Sequence, residues 1–450
     1  MTTRPADDSP ATQLSTAQLS NGQLTNGQLT NGQRASTDRP TVDSVRAEVD
    51  AWIDENWSLD LTVREWWARL AAAGYTSPTL PVEAGGRGWT GDLAAAALAT
   101  LARRRVLGAP GGLGLLLAAP TIATHGTPEQ VARYVPRILD GTEAWCQLFS
   151  EPQAGSDLAG LQTRAERDGD EWVVTGQKVW TSTAQVADLG MLIARTDPDA
   201  PKHRGITYFL IDMRQPGIEI HPLKEMTGRA VFNEVFLDEA RVPHANILGE
   251  LNDGWKVANS TLAFERSGIG HGGSSFAAAN PGSIAGHLDR PVSDFLDRKG
   301  AITGGAVGKR NINALFELAR AKGRADDPVV RQALAQVWTY YELVRMMGWK
   351  AKNLPGMRTG GEGNLAKIHN TRTVDACRDA ANLLLGPEGQ LWESPGAAGA
   401  FQEMTLFSPA PPIYGGTDQI QRNVLGERVL GLPKEPGPAA DTPFRDLPKN

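Results

Sequence analysis

A chain of 450 residues, 41% hydrophobic and 21% charged with a formal net charge of -6, carries enough apolar material for two or three domain cores. The acidic balance gives no basis for a nucleic-acid surface or a polybasic membrane patch, and the two cysteines, Cys146 and Cys377, lack the clustering of a metal site or disulfide scaffold. The longest apolar run, near Leu93 to Ala102, falls far short of the roughly 20 residues that span a bilayer, and the polar first forty residues hold no signal-peptide core, so a cytoplasmic location is expected.

Residues 1–39 contain near-copies of a five-residue unit, Gln18–Gly22, Gln23–Gly27 and Gln28–Gly32. One Leu per unit, between Asn-Gly turns, cannot offset chain entropy, which predicts a disordered low-complexity tail. From Thr41 the pattern is helical: Val42, Val45, Val49, Trp52 and Ile53 fall near 3.6-residue spacing. Further helices are expected at Arg64–Leu70, Asp92–Arg104, Gly112–Ala119 and Pro128–Leu139, with a Pro/Gly-rich loop from Pro78 to Trp89, making 40–142 an all-α domain.

Over 143–252 the period changes to two. Glu171–Val174 follows an Asp168-Gly169-Asp170 turn, and Leu189–Ala194, Ile206–Ile211, Ile218–Ile220 and Asn233–Leu237 alternate or stay apolar between breaks, which predicts a β-domain. The helical pattern returns at Gly254 and runs to Ile269. Residues 270–308 are rich in Gly, Ser, Pro and Ala and read as an inserted loop with a helical piece around Val292–Phe295. Helices expected at Ile312–Lys322, Pro328–Lys350, Asn364–Leu385 and Thr417–Leu430 complete a C-terminal α-domain over 253–432, and the Pro-rich, charged residues 433–450 read as a second disordered tail.

Two stretches of the β-domain carry chemistry: Gln147-Leu148-Phe149-Ser150-Glu151-Pro152-Gln153-Ala154-Gly155-Ser156-Asp157, and Gly176-Gln177-Lys178-Val179-Trp180-Thr181-Ser182. Pro152 and Gly155 break an apolar run, and the small residues after them let backbone amides approach a ligand. Trp180 followed by two hydroxyls suits a flat, hydrogen-bonding ring system. The plainer reading of the same residues is a loop packed on a buried Trp.

Together with Ile413-Tyr414-Gly415-Gly416-Thr417-Asp418-Gln419-Ile420-Gln421-Arg422, these stretches resemble the acyl-CoA dehydrogenase family, in its order and at its approximate separations, over about residues 40–432. The resemblance implies an α+β multidomain fold: an N-terminal all-α domain, a middle β-barrel domain and a C-terminal four-helix-bundle domain that supplies the oligomer interface. It implies FAD as cofactor, an acyl-CoA substrate, and electron-transfer flavoprotein or a similar acceptor as partner. A homodimer or homotetramer is implied, with a heteromeric assembly as the alternative.

By the same resemblance Phe149, Ser150, Trp180, Thr181 and Ser182 match positions that touch the flavin ring. Gly155 and Ser156 match positions near the cofactor phosphate or the pantetheine arm of the substrate, and Thr417 and Gln419 match C-terminal FAD contacts. Without the resemblance these are strand-end hydroxyls and, for Thr417, a helix N-cap. Where many members carry Tyr-Glu-Gly-Thr with that Glu as base, this chain has Tyr414-Gly415-Gly416-Thr417. Gly415 cannot abstract a proton, though its amide keeps the family's capacity to bind the thioester carbonyl.

The isovaleryl-CoA and long-chain members place the base in a Glu-Arg pair on the helix after the β-domain, and Glu265-Arg266 stands at the matching place. Glu265 is therefore the candidate base and Arg266 a candidate substrate contact; their plain reading is an exposed helical ion pair of little worth. The family's Arg-x-x-Phe-Gly segment is absent; Arg320 or Arg324 is the candidate to serve the pyrophosphate. Leu383–Gly389 likewise departs from the family's Gln-Ile-Phe-Gly-Gly pattern, so one adenylate contact is lost. Three functions stay open: a catalytic dehydrogenase, a non-catalytic or half-site subunit of a heteromeric dehydrogenase, and a flavin oxidase or monooxygenase of the same fold.

Overall fold

The computed structural model describes residues 39–269, 286–296, 307–354, 356, 359–391 and 399–448. Residues 1–38 of the expected tail and the bulk of the expected insertion, 270–285 and 297–306, lie outside the described residues.

The N-terminal helices are α1 (Val42–Asn56), α2 (Val63–Ala72), α3 (Gly91–Arg103), α4 (Ala119–His125) and α5 (Pro128–Leu139). Three begin at capping boxes, Thr41 with Ser44, Thr62 with Glu65 and Thr127 with Gln130, so the otherwise unpaired first-turn donors are met by local side chains. Val45, Val49 and Ile53 of α1 pack on Trp66, Trp67 and Leu70 of α2. The buried indoles are satisfied: Trp66 Nε1 donates to the Leu107 carbonyl at 2.7 Å and Trp67 Nε1 to that of Gly108 at 2.8 Å. The expected helix at Gly112–Ala119 is instead a π-turn, Gly114–Ala118, leading into α4.

A distant segment completes this core. Leu288, Val292 and Phe295 are buried in it, the last two within a 3-10 turn at Val292–Phe295, where a helical piece is expected. The carbonyls of Arg290 and Leu288 accept the Val63 and Arg64 N–H groups at 2.9 and 2.8 Å, the first-turn donors of α2 that no helix carbonyl can reach.

The middle domain holds β1 (Trp145–Leu148), β2 (Arg164–Asp168), β3 (Glu171–Ser182), β4 (Leu189–Arg195), β5 (Ile206–Asp212), β6 (Ile218–Leu223) and β7 (Phe232–Pro243). They form one mixed half-barrel sheet in the order β1-β4-β2-β3-β7-β6, with β5 paired to β4. β1 runs parallel to β4, while β3 is antiparallel to both β2 and β7. β2 lacks an apolar signal, since its residues read Arg-Ala-Glu-Arg-Asp; it exists through its ladder with β3, where Ala165 faces Val174.

The C-terminal domain begins with α6 (Gly254–Ile269) and continues through α7 (Lys309–Ala321), α8 (Pro328–Asn353) and α9 (Glu362–Leu385), followed by the shorter α10 (Gly399–Phe407) and α11 (Asp418–Val424). Ile312, Leu315, Val337, Cys377, Ala381 and Leu384 knit α7, α8 and α9 together. The helix expected to run to Leu430 gives way to a π-turn at Leu425–Val429. The expected disorder of 433–450 is corrected at its far end: Pro443 bridges Pro201, and the Phe444 ring lies 3.7 Å below the Arg195 guanidinium. Composition hides this contact because it depends on one aromatic residue within a Pro-rich stretch. Among the described residues no helix is long and apolar enough to cross a membrane.

Candidate active site

The two ligand-like stretches of the β-domain are tied together at their base. Val179 N–H donates to the Ser150 carbonyl at 2.9 Å, and Lys178 Nζ reaches Glu151 Oε1 at 2.9 Å and the Phe149 carbonyl at 3.1 Å. The Lys178 and Glu151 side chains are 0% and 1% exposed, so this ion pair sits in the core. Glu151 also accepts the Gln162 N–H at 2.7 Å and the Thr163 N–H at 2.9 Å, filling the lone pairs that a buried carboxylate must satisfy. Burial acts to raise the Glu151 carboxyl, but Lys178 and the Thr163 and Gln162 hydrogen bonds outweigh it and hold the group below its ordinary value. The brace fixes the Ser150–Asp157 turn to β3, and the sequence showed it only as two charged residues inside apolar segments.

The register between β3 and β7 shifts between Lys178 and Thr181, and at that irregularity Trp180 takes φ 61°, the left-handed region that a bulky residue occupies at a cost of roughly 1–3 kcal/mol. The result re-aims the indole: Trp180 is 61% exposed, held edge-on by Phe232 at 5.9 Å between ring centroids. The plainer expectation, a buried Trp under a loop, is thereby overturned. Thr181 and Ser182 next to it are buried, and Thr181 Oγ1 has no hydrogen-bond partner. Phe149 is buried edge-to-face with Tyr208, Ser150 is half-buried, and Gly155 and Ser156 are exposed on the turn. An exposed, strained aromatic face beside an unmet buried hydroxyl fits a planar ligand with polar edges.

Glu265 lies on α6 and is half-buried. Burial pushes its carboxyl above the ordinary value, against the pull of Arg266 and of the Gln147 carboxamide. Gln147 lies on β1, so its side-chain hydrogen bond to Glu265 brings that strand to the same region. The Glu265 charge also raises the Tyr414 phenol, which burial alone already pushes up, to about 12. Arg266 is half-buried too, its guanidinium lowered by burial with Glu265 opposing and Arg428 adding to the effect. Glu265, Arg266, Gln147 and Tyr414 therefore form one neighbourhood, which joins the first and third stretches.

The Tyr414–Thr417 turn is shaped by its glycines: Gly415 and Gly416 have φ 63° and 81°, conformations that glycine adopts without strain. Gln421 Nε2 holds the turn by donating to the Gly415 carbonyl at 2.8 Å. Thr417 caps α11, its Oγ1 accepting the Ile420 N–H at 3.1 Å, and Asp418 is anchored to α9 by Lys367 Nζ at 2.8 Å. Gln419 is exposed on that first turn. Arg320 is exposed on α7 and takes part in none of these contacts, while Arg324 is engaged with Asp327 and the Leu383 carbonyl. The arrangement thus offers a carboxyl raised by burial in contact with Gln147 of the first stretch and, on β3, an exposed aromatic face next to an unmet hydroxyl.

Models of the acyl-CoA dehydrogenase N-terminal, middle and C-terminal domains match residues 34–142, 146–240 and 305–430. Over 411 residues the chain is 36% identical to acyl-CoA dehydrogenase IpdE1 of Mycobacterium tuberculosis, covering 88% of this chain and 98% of that one. Among solved structures it is similar to the Tcur3481-Tcur3483 steroid ACAD, at 27% identity and TM-score 0.66 over 89% of this chain and 100% of that one. It is also similar to the ChsE4-ChsE5 complex from Mycobacterium tuberculosis, at 26% identity and TM-score 0.64 over 90% and 100% of the two chains.

Proposed function

We propose that this chain, which belongs to the acyl-CoA dehydrogenase family and is an acyl-CoA dehydrogenase, takes the α-proton of its thioester substrate with Glu265. The observation that carries the assignment is the seat of Glu265: a carboxyl raised by burial, between the Gln147 amide and the Tyr414 ring, where Gly415 leaves the usual position without a base. A raised carboxyl is the stronger base once ionised. Arg266 opposes the rise.

Flavin is the cofactor that the family implies, and the residues present fit it. Trp180, Thr181, Ser182, Phe149 and Ser150 would hold the ring, with FAD completed through Gly155, Ser156, Thr417, Gln419 and Arg320. A bound flavin supplies the acceptor for the β-hydrogen, which leaves as hydride. The protein's own part is to draw the α-proton onto Glu265 Oε, polarise the thioester carbonyl through the Gly415 amide, and keep water from the reacting carbons with the Trp180 and Tyr414 rings. Proton and hydride leave from adjacent carbons, and the product is the α,β-unsaturated thioester.

A ring-bearing acyl group is the substrate class supported best, because one similar solved protein is described as a steroid ACAD. A heteromeric assembly with electron-transfer flavoprotein as acceptor is the second reading. It is favoured by the outward face of α8, where Trp338, Met346 and Trp349 are exposed, and by the complexes formed by the similar proteins. Co-expression with candidate partner subunits that brings flavin to an otherwise colourless protein is the outcome expected of that reading.

The decisive measurement is anaerobic bleaching of the purified flavoprotein by a panel of acyl-CoA thioesters. Glu265→Gln is expected to bind ligand yet reduce flavin about 100- to 10,000-fold more slowly. Bleaching at an unchanged rate would overturn the assignment of the base.

A further inference from the structure

The C-terminal segment is laid along the connection between β4 and β5. Phe444 N–H donates to the Ala200 carbonyl at 3.0 Å, Arg445 N–H to the Pro198 carbonyl at 3.0 Å, Pro443 bridges Pro201, and the Arg445 side chain pairs with Asp199. Beneath lies Arg195, at the end of β4, only 4% exposed and with its guanidinium 3.7 Å from the centre of the Phe444 ring. Its Nη1 donates to the Lys202 carbonyl and its Nη2 to the Ala159 carbonyl, each at 2.7 Å, while Nε has no partner. Among the described residues Arg195 makes no contact ion pair; two carbonyls and one aromatic face touch this buried cation, and the Glu151 and Asp197 charges favour it from farther away. A second tie joins the same loops, Lys202 Nζ reaching Asp157 Oδ1 at 2.6 Å. Gln153, Asp157, Gln162 and Lys202 help line a small cleft that Phe444, Leu447 and Pro448 wall on the strap side.

We propose that Pro443–Pro448 is a strap that fixes, through Arg195, both the turn at 153–162 and the connection at 196–205, and that the affinity for the coenzyme A portion of the substrate depends on this strap. The proposal rests on the reading above in which Gly155 and Ser156, on that turn, meet the cofactor phosphate or the pantetheine arm. Arg195 is a positioning residue: it spans two backbone segments 43 residues apart at Ala159 and Lys202. A cation–π contact is strongest when water is kept from the cation, and here the ring is what keeps it out. Removing the ring opens Arg195 to solvent, which competes for its donors and releases both loops. Glu265 lies on α6, outside this set of contacts, so the chemical step is left unaltered.

The test uses the full-length flavoprotein, with free coenzyme A as the binding probe followed by calorimetry and trypsin as the probe of the bonds after Lys202 and Arg204. Phe444→Ala is expected to weaken coenzyme A binding on the order of tenfold. It should also speed loop cleavage and raise KM while kcat stays within about twofold. Phe444→Tyr, which keeps the ring, should behave as the unaltered protein, and Arg445→Ala, which removes an exposed ion pair, should change neither readout. Arg195→Lys keeps the charge but loses the fork, and should reproduce the Phe444→Ala pattern. Unchanged coenzyme A affinity and unchanged cleavage in both Phe444→Ala and Arg195→Lys would overturn the proposal, as would a Phe444→Tyr protein as impaired as Phe444→Ala. If the unaltered protein binds no coenzyme A, the reading of Gly155 and Ser156 as contacts to the coenzyme A portion fails, and the strap's role in binding falls with it even where cleavage of the loop still responds to Phe444→Ala.

Discussion

Replacing Lys178 by Met removes one half of a core ion pair and leaves the other half charged. The Lys178–Glu151 contact is 2.9 Å long with both side chains essentially inaccessible to water, the setting in which loss of one partner costs about 3–5 kcal/mol. Glu151 keeps the Gln162 and Thr163 donors, which places the charge term near the lower end, about 3 kcal/mol. The lost hydrogen bond to the Phe149 carbonyl adds about 1 kcal/mol. A loss of about 4 kcal/mol is a large part of the roughly 5–15 kcal/mol that holds a domain folded.

The assay is urea unfolding followed by tryptophan fluorescence, repeated across pH. In the parent protein Glu151 titrates below its ordinary value of 4.5, so its stabilisation is complete above that pH and is lost as pH falls through the folded value. In Lys178→Met the burial effect stands unopposed by the ammonium and the carboxyl moves up. Stability then falls as pH rises above about 4.5, and acid relieves the variant where it harms the parent. The double variant Glu151→Gln, Lys178→Met should recover part of the loss. A Lys178→Met protein within about 1 kcal/mol of the parent at pH 7, or one with the parent's direction of pH dependence, would refute the reasoning.

Trp180→Gly relieves a left-handed backbone and loses one edge-on contact with Phe232, effects of about 1 kcal/mol each and of opposite sign, so stability should hold while flavin is lost during purification. Full flavin retention, read by visible absorbance, would remove Trp180 from the platform. The acid limb of kcat/KM should lie above 4.5, with the rate rising as pH climbs through the raised value of Glu265. Arg266→Ala should move that limb further up, since Arg266 opposes the rise; a stopped-flow pH profile of flavin reduction checks both, and a limb at the ordinary carboxylate value counts against Glu265.

Periodicity carried most of the fold into view. The 3.6-residue spacing of Val45, Val49 and Ile53 and the apolar run Ile206–Ile211 each mark an element whose buried face is its own signal. β2 and α10 escaped for different reasons: β2 is charged and depends on β3, while α10 buries Ala400, Phe401 and Met404 but is only nine residues long, too short for a repeated pattern. In the site, the motif positions were legible as small, aromatic and hydroxyl residues in a recognisable order. Their supports were not. Glu151 meets Lys178 across 27 residues of chain, and Gln147 meets Glu265 across far more, so no local pattern links the partners. The strained geometry of Trp180 is set by a register shift against β7, which a single strand cannot reveal.

The burial of Leu288, Val292 and Phe295 among the first helices bears on the order in which the chain is made. A ribosome that has released residue 142 has delivered the helices α1 to α5, yet three side chains of their core are still to be synthesised about 150 residues later. At usual elongation rates that interval lasts on the order of ten seconds or more, during which the start of α2 lacks the carbonyls of Leu288 and Arg290 and the core lacks three of its side chains. The first domain to emerge is thus among the last to close, and its completion waits on residues that follow the helix bearing Glu265.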